Sequence, residues 1–384
     1  MARNLTAQRS IVDADSPFTF LQQRLRYVDA CPDRTFINVA ENVPCWPSPF
    51  PDGVLHAEDT LAYGPCEGSA FLLRAIEARE RAVNKISPNP EEILVSNGAL
   101  HGLSLVIRAL AQPGSVALVQ APVYICIPQM LRAAGFRVRY FSAAAGLGEL
   151  ESLLGEDTRL IYVNSPNNPT GQVLSSAQMA RLAELAASRG AKLLADVVYD
   201  SFAKPGVDRG SPLANREAWP HVYTVNSMSK NYGSPGLRVG WVLSSAENVR
   251  MLSALLEREC VCVSGPSQRL AASILEHGNA ALVDHVESGR RLLSEALRQV
   301  PGVVCEPGVG GTQLFASLPV EDIEAYGDTV LRELGLLLAT CSQYEGVSGP
   351  FIRLPLGAPR DTLSRALKLL AESLAIYGHA SPRI

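Results

Sequence analysis

The sequence predicts an α/β protein with a large domain, built on a seven-stranded, mainly parallel sheet sandwiched by helices, and a smaller α+β domain. Three observations support this. Between about residues 91 and 243, short apolar and β-branched runs alternate with helical patterns, as in βαβ units. After residue 246 the patterns are mostly helical. At 384 residues the chain exceeds the size at which one hydrophobic core keeps growing.

The elements of the large domain alternate along the chain. Helices are predicted at 100–111, 125–134, 147–154 and 176–189. Because such helices cross from one strand to the next, most neighbouring strands should be parallel. The predicted strands span 93–95, 116–119, 138–141, 160–163, 193–195, 222–225 and 239–243.

The smaller domain and the N-terminal arm have weaker patterns. An amphipathic helix near 18–28 precedes a proline-rich segment at 44–49, which cannot join a central strand. The smaller domain is predicted from a long helix at 268–299, short strands near 312–318 and 351–354, and a closing helix at 362–377. The predicted division is an N-terminal arm packing on the small domain at 1–48, a large ligand-binding domain at 49–285 and a small C-terminal domain at 286–384.

Composition excludes several classes of protein. A net charge of −4 gives no electrostatic reason to bind nucleic acid, and 47% hydrophobic residues indicate a compact globular chain. We find no secretory signal and no window of 18 apolar residues, so we expect a cytoplasmic protein that does not enter a membrane. Eight scattered cysteines lack metal-site spacing; for the close pair Cys260 and Cys262, buried free thiols are favoured over a metal or redox pair.

Two predicted turns follow strands at the edge where open α/β sheets bind ligands. In Ser-Asn-Gly-Ala-Leu-His at 96–101, Gly98 would let backbone N–H groups and the N-terminus of the following helix face an anion. In Asn-Ser-Pro-Asn-Asn-Pro-Thr-Gly at 164–171, the Asn168 amide would donate to a phenolate oxygen or a carboxylate. Each sequence is also compatible with an ordinary turn.

Two further motifs carry charge. Asp196 ends an apolar strand, where a carboxylate needs a cationic partner such as a protonated pyridine nitrogen, and Tyr199 would reach the same ligand. Lys230, one of only five lysines, lies in Ser-x-Ser-Lys with Arg238 eight residues later. That arrangement suits a Schiff-base lysine beside a phosphate. A turn-capping aspartate and a solvated lysine are the structural alternatives.

Taken in order, Asn-Asn-Pro-Thr-Gly, Asp-x-x-Tyr and Ser-x-Ser-Lys followed by the arginine resemble the fold type I pyridoxal-phosphate enzymes, specifically the class I/II aminotransferase family. The resemblance implies an aspartate aminotransferase-like fold and pyridoxal 5'-phosphate bound as a covalent aldimine to Lys230, which also moves the proton. It implies that Asp196 pairs with the pyridine nitrogen, and that Tyr199 and Asn168 donate to the phenolate. The implied phosphate site comprises Gly98, Ala99, Leu100, Ser227, Ser229 and Arg238.

The resemblance also implies roles for three residues outside these motifs. Tyr124 would stack on the cofactor ring, unless it is a plain core tyrosine. Tyr63 would reach the phosphate of a neighbouring subunit, which implies a homodimer. Arg353 would hold the substrate α-carboxylate together with Asn168; the alternative is a buried salt bridge to an acid of the small domain.

The chain departs from the family pattern where the substrate side chain is expected. Glu41 would face a basic or polar substrate and Trp46 would wall the pocket, although both are equally compatible with loop packing. Gln313 replaces an aromatic residue common among relatives. Transamination between an amino acid and a keto acid is the first prediction. A lyase, a cyclase or an oxygen-dependent decarboxylating deaminase of specialised metabolism uses the same cofactor chemistry, and a non-catalytic ligand sensor is a distant alternative, disfavoured by the retained Lys230.

Overall fold

The computed structural model describes residues 19–40, 56, 58–143, 146–306 and 308–377. Its helices are α1 Thr19–Asp29, α2 Glu58–Leu61, α3 Ala70–Val83, α4 Ala99–Leu110, α5 Cys126–Ala133, α6 Gly148–Leu153, α7 Ser176–Ser188, α8 Met228–Asn231, α9 Ala246–Cys260, α10 Gly265–His277, α11 Ala280–Leu297, α12 Ile323–Leu334 and α13 Arg360–Tyr377. Its strands are β1 Ile37–Asn38, β2 Ile93–Ser96, β3 Val116–Ala121, β4 Arg137–Ser142, β5 Thr158–Asn164, β6 Lys192–Asp196, β7 Val222–Ser227, β8 Gly240–Leu243, β9 Gln313–Ser317, β10 Leu336–Leu337, β11 Ala339–Thr340 and β12 Phe351–Pro355.

The large sheet contains all seven predicted strands, in the order β2-β8-β7-β6-β5-β3-β4. Strands β7, β6, β5, β3 and β4 run parallel to one another, as predicted. Strand β8 is antiparallel to both β7 and β2. The α/β prediction is therefore confirmed, with one reversed strand inserted near the edge. The parallel strands end along one edge, which collects the turns that follow them.

Apolar side chains on both faces of the strands explain why this sheet is covered by helices on both sides. One core contains Val95, Ile161 and Leu193 and is closed by residues of α3, α7 and α10. The other contains Leu94, Tyr162 and Leu194 and is closed by residues of α4 and α9. Alternate residues along each strand thus enter opposite layers.

The second unit has its own core around a three-stranded antiparallel sheet, β11-β12-β9, covered by α11, α12 and α13. The single helix predicted at 268–299 is wrong: Gly278, with φ +80°, ends α10, and α11 begins two residues later. A glycine adopts this backbone without the steric cost that other residues meet. The predicted boundary after residue 285 falls inside α11, whose apolar residues enter the second core. A division at Gly278 fits that packing better, and the division into three parts stays a prediction.

Helix α1 and strand β1 contact the second unit. The Arg24 guanidinium pairs with Glu324 at 2.7 Å and Asp328 at 2.9 Å, and it also donates to Thr340. Strand β1 pairs in parallel with β10. The proline-rich segment at 44–49 lies outside the described residues. In the part of the chain that the structure describes, no helix is long and apolar enough to cross a bilayer.

Candidate active site

A cavity of about 320 Å³ lies where the carboxyl ends of the large sheet's strands meet the second unit. Its wall includes residues from both units and from the segment before residue 41. The predicted site residues that line it are Ala99, Leu100, Tyr124, Asn168, Asp196, Tyr199, Ser227, Ser229, Lys230, Arg238 and Arg353. The remaining lining residues are Ala40, Leu103, Asn164, Val198 and Pro235.

Asp196 is a buried carboxylate at the end of β6. It accepts hydrogen bonds from the Tyr162 hydroxyl at 3.1 Å and from the backbone N–H of Val198 at 3.2 Å. No Lys, Arg or His of the described residues pairs with it. Burial raises the pKa of Asp196 from 3.8 to about 6, and the two hydrogen bonds only partly oppose this. The site therefore suits a ligand that brings a proton on a ring nitrogen.

Lys230 lies in α8, the short helix that follows β7 directly. The segment is fixed by two buried asparagines, since Asn231 donates to Asn226 Oδ1 at 2.8 Å and Asn226 Oδ1 also accepts from the N–H of Ser227. Both asparagine amides donate to Asp200 as well, at 3.0 and 2.7 Å. The lysine is thus carried by a rigid turn.

A buried ion pair beneath this turn was not predicted from the sequence. Arg79 of α3 pairs with Asp200, and it also donates to Glu80 at 2.7 Å. Asp200 follows Tyr199 directly, so the pair links the Asp196 segment to the Lys230 segment. The Arg79 guanidinium holds the pKa of Asp200 below its ordinary value despite burial. The position of Asp200 shortly after Asp196 could have indicated that this aspartate belongs to the site. Its partner Arg79 lies in an amphipathic helix, where the sequence does not distinguish it from a solvated arginine.

The turn before α4 forms a cradle for an anion. Gly98 has φ +79°, and a Cβ at this position would lie 2.5 Å from Arg238 Nη2. Gly240 of β8 pairs with Ser96 on one side and with Ser227 on the other. A Cβ on Gly240 would lie 2.7 Å from the Gly98 carbonyl carbon. The two glycines thus let a guanidinium, the Ser227 hydroxyl and the N-terminus of a twelve-residue helix converge.

Arg353 reaches the cavity from β12. Its Nη1 donates to the Tyr344 hydroxyl at 2.8 Å and to Asn168 Oδ1 at 3.4 Å, and its Nη2 donates to the Ala40 carbonyl at 3.0 Å. None of the carboxylates that the structure describes forms a salt bridge with it, so the predicted alternative, a buried pair with a small-domain acid, is not found there. Its Nε is buried and finds no acceptor among those same residues. The guanidinium keeps its charge for a ligand.

The remaining predicted residues differ in where the structure places them. Tyr124 lies at the cavity wall, where burial raises its pKa well above the ordinary value and keeps the phenol neutral. Tyr63 is outside the cavity of its own chain and 83% exposed. Gln313 is fully buried and does not reach the cavity wall; its amide donates to the Asn167 carbonyl at 2.9 Å, beside Asn168. Glu41 and Trp46 lie outside the described residues.

A family model described as aminotransferase class I and II matches residues 32–370 of the chain. The chain belongs to this family. The aminotransferase is 40% identical over 378 residues to the L-aspartate:5-guanidino-3-methyl-2-oxopentanoate transaminase of Pseudomonas syringae pv. syringae, covering 96% of this chain and 97% of that protein. It is 36% identical to the 3-methylarginine biosynthesis aminotransferase ArgM of Streptomyces arginensis, with 92% and 96% covered.

Among solved structures, the aminotransferase resembles aspartate aminotransferase from Thermotoga maritima, with a TM-score of 0.86 and 25% identity over 96% of this chain and all of that one. The predicted aspartate aminotransferase-like fold is confirmed. The protein is a pyridoxal-phosphate-dependent aminotransferase acting on amino acids, as the first functional prediction stated. The cavity fits that cofactor, because it offers a buried carboxylate for the ring nitrogen and a guanidinium at a helix N-terminus for the phosphate.

Proposed function

We propose that this aminotransferase transfers the amino group of aspartate to a guanidino 2-oxo acid, yielding an arginine-type amino acid. The observation that carries the proposal is the 40% identity, over 96% of the chain, to a transaminase named for those two substrates. A second relative, at 36% identity, is named for the biosynthesis of 3-methylarginine. The expected products are oxaloacetate and arginine or its 3-methyl derivative.

In this proposal the cavity residues have separate tasks. Bound there, pyridoxal phosphate supplies an electron sink for the pair left when the substrate Cα–H bond breaks. Asp196 would hold the proton on the ring nitrogen, Tyr199 and Asn168 would donate to the phenolate, and Tyr124 would pack against the ring. Lys230 Nζ would bind the cofactor and would take up and return the proton at substrate Cα. The backbone of Gly98, Ala99 and Leu100 would hold the phosphate together with Ser227, Ser229 and Arg238.

Residues on the wall of the cavity nearest the second unit are proposed to orient the substrate. Arg353 and Asn168 are proposed to hold the α-carboxylate, so that one bond at Cα is presented for cleavage. Glu41 follows Ala40, a cavity residue whose carbonyl accepts from Arg353. A carboxylate beside the substrate side chain would pair with a guanidinium through two hydrogen bonds. We keep Glu41 as the predicted side-chain partner and Trp46 as a predicted pocket wall.

The proposal predicts a substrate preference. With aspartate as amino donor, 5-guanidino-2-oxopentanoate or its 3-methyl derivative should be aminated with a kcat/KM at least about tenfold above that of uncharged 2-oxo acids of equal length. Product amino acids and oxaloacetate would be quantified by mass spectrometry and a coupled assay. Equal rates with uncharged acceptors would contradict the substrate assignment. Ammonia release from an amino acid without any 2-oxo acid would instead indicate the lyase or deaminase chemistry.

The variant Glu41→Gln refines this experiment, because it keeps size and hydrogen bonding but removes the charge. Its kcat/KM should fall for the guanidino acceptor and stay within about twofold for aspartate. Glu149→Gln, a change on α6 whose carboxylate accepts from the N–H of Ser142, is the matched control and should change neither. A Glu41→Gln variant with unaltered preference would exclude Glu41 as the guanidinium partner.

We further propose a homodimer. Leu61 and Tyr63 are 81% and 83% exposed, and Val261 and Leu100 are 45% and 38% exposed. Helix α2, which contains Leu61, packs on α10, since a Cβ at Gly265 would clash with the Asp59 carbonyl; Leu100 borders the cavity. Large apolar side chains that are exposed together mark an interaction surface. A second copy of the chain is the proposed occupant, with Tyr63 directed to the neighbouring site.

The dimer gives a direct prediction. The wild type should elute as a dimer in size-exclusion chromatography with light scattering, and Leu61→Asp should shift the equilibrium toward monomers and weaken cofactor binding in parallel. Ile376→Asp is the control, because Ile376 is also exposed, at 62%, but belongs to α13 in the second unit. A monomeric wild type that retains the cofactor would refute the proposed dimer.

We also retain the predicted cytoplasmic location, supported by free thiols at Cys31, Cys66, Cys126, Cys260, Cys262, Cys305 and Cys341.

A further inference from the structure

The loop between β11 and β12 carries two neighbouring polar residues, Tyr344 and Glu345, with contacts on opposite sides. We propose that Tyr344 is a positioning residue for substrate binding, which fixes Arg353 and Asn168, and that Glu345 holds Tyr344 in place by tying the loop to the large domain. The inference rests on the proposed role of Arg353 as the carboxylate site. The role of Tyr344 applies to every amino-acid substrate, because it acts through the α-carboxylate and not through the substrate side chain.

The inner contacts belong to the Tyr344 hydroxyl. It accepts a hydrogen bond from Arg353 Nη1 at 2.8 Å and donates to Asn168 Oδ1 at 3.5 Å. The ring is buried, and burial raises the pKa of Tyr344 to about 12. The phenol therefore remains neutral over the working pH range and supplies one acceptor and one donor at the same time.

For Asn168, this contact fixes the orientation of the amide. Its Oδ1 faces both the Tyr344 hydroxyl and Arg353 Nη1, at 3.5 and 3.4 Å. Two donors on one side of the amide favour the orientation in which the oxygen faces them. The NH₂ group is then directed to the other side, where a ligand acceptor can use it.

For Arg353, the phenol is a useful partner because it is uncharged. A carboxylate in its place would neutralise the guanidinium and compete with the substrate carboxylate. The Tyr344 hydroxyl and the Ala40 carbonyl hold Nη1 and Nη2 without supplying negative charge. The buried Nε has no acceptor among the described residues, so its N–H can donate to a ligand. The guanidinium is thus preorganised for a carboxylate ligand.

The outer contacts belong to Glu345. Its two carboxylate oxygens accept from Arg132 Nη1 and Nη2, each at 2.6 Å, and it also accepts from the Tyr140 hydroxyl. The Glu345 carbonyl accepts from the N–H of Val123 at 3.3 Å. The Arg132 hydrogen bond lowers the pKa of Glu345, so the carboxylate is charged at neutral pH. These bonds attach the loop to α5 and β4 of the large domain, directly outside the cavity.

The test is Tyr344→Phe, which removes only the hydroxyl. We expect KM for aspartate and for the 2-oxo acid to rise about tenfold, the scale of one hydrogen bond to a charged group, with kcat within about threefold. The dissociation constant of 2-methylaspartate, which cannot lose a Cα proton, should rise by the same factor in calorimetry. Tyr326→Phe is the matched control: Tyr326 is also buried in the second unit, but its hydroxyl contacts Ser373. It should change thermal stability without changing KM.

Glu345→Gln tests the contacts that attach the loop to the large domain. It should raise KM and the 2-methylaspartate dissociation constant by about threefold, because a partly exposed ion pair contributes less than a buried hydrogen bond. Glu151→Gln, which removes an exposed ion pair with Arg181, should change neither. Unchanged 2-methylaspartate affinity in Tyr344→Phe would overturn the inference. If the wild type transferred no amino group from any donor, the proposed function would fail, while 2-methylaspartate binding would still decide the role of Tyr344.

Discussion

Replacing Lys230 with alanine should reduce transamination by roughly a thousandfold or more, because the amine that is proposed to move the proton at substrate Cα is lost. Among the described residues that line the cavity, Lys230 supplies the single primary amine. The fold should survive the change, since the hydrogen bonds among Asn226, Asn231 and Asp200 that hold α8 do not involve the substituted side chain. Steady-state rates with aspartate and a 2-oxo acid would measure the loss.

A second experiment identifies the lysine that binds the cofactor. Borohydride reduction of the wild-type holoenzyme should leave the mass of the cofactor on the peptide that contains Lys230. Lys368→Ala is the control, because the Lys368 side chain is 78% exposed on α13 and pairs only weakly with Glu372, at 3.9 Å. Its activity should equal that of the wild type. A Lys230→Ala variant with more than about a tenth of wild-type activity would rule out the assigned base.

Asp196→Asn should have opposite effects on activity and on the stability of the cofactor-free protein. Activity should fall roughly a hundredfold to a thousandfold, since the ring nitrogen loses its buried anionic partner. The free energy of unfolding should rise, because the wild-type protein without cofactor must bury a carboxylate whose pKa is raised from 3.8 to about 6. This difference in pKa corresponds to about 3 kcal/mol in the free energy of unfolding at a pH where Asp196 is fully ionised.

The sign of the pH dependence follows from the raised pKa. The neutral carboxyl is favoured in the folded state, so its stabilisation is complete below about pH 4 and is lost as the pH rises through about 6. The stability gain of Asp196→Asn should therefore be absent near pH 4 and reach its maximum above pH 7. Urea unfolding of cofactor-free protein at several pH values would measure it.

Two controls keep this prediction specific. Asp208→Asn removes an exposed carboxylate whose pKa is lowered by its hydrogen bonds to Ser176, so this variant should show no gain. Saturating the protein with pyridoxal phosphate should reverse the order of stabilities, because only the wild type offers a charge to the ring nitrogen. If Asp196→Asn destabilised the cofactor-free protein at pH 8, the raised pKa would be refuted.

The location of the candidate site could be predicted because each of its motifs is local. Asp196 ends β6, while Asn168 and Lys230 lie in the segments that follow β5 and β7, and the sheet topology then brings these strand ends together. The antiparallel direction of β8 could not be predicted, because a strand carries the same apolar pattern in either direction. Gly278 was also missed, since one glycine within a helical pattern does not by itself mark a break.

Residues that support the site were harder to find. Tyr344 lies in an irregular loop, and its hydroxyl partners are 9 and 176 positions away in sequence. The partner of Arg79 is 121 positions away, and nothing in helix α3 distinguishes this arginine from a solvated one. Gln313 was predicted to matter because it replaces an aromatic residue, but the structure places it behind Asn167. Contacts of this kind depend on long-range packing, for which a single sequence carries no local pattern.

The position of Gly240 between Ser96 and Ser227 has a consequence for how the protein becomes functional. Strand β8 is the last of the large sheet to be synthesised, yet it separates β2, the first strand of that sheet, from β7, which directly precedes the helix of Lys230. Contacts between such distant segments form late, because long loops must close first. A nascent chain that ends before residue 240 therefore has every other strand of the large sheet but lacks part of the anion cradle. We expect the cofactor to stabilise only a chain in which β8 has been inserted, because a ligand stabilises the state that contains its complete site.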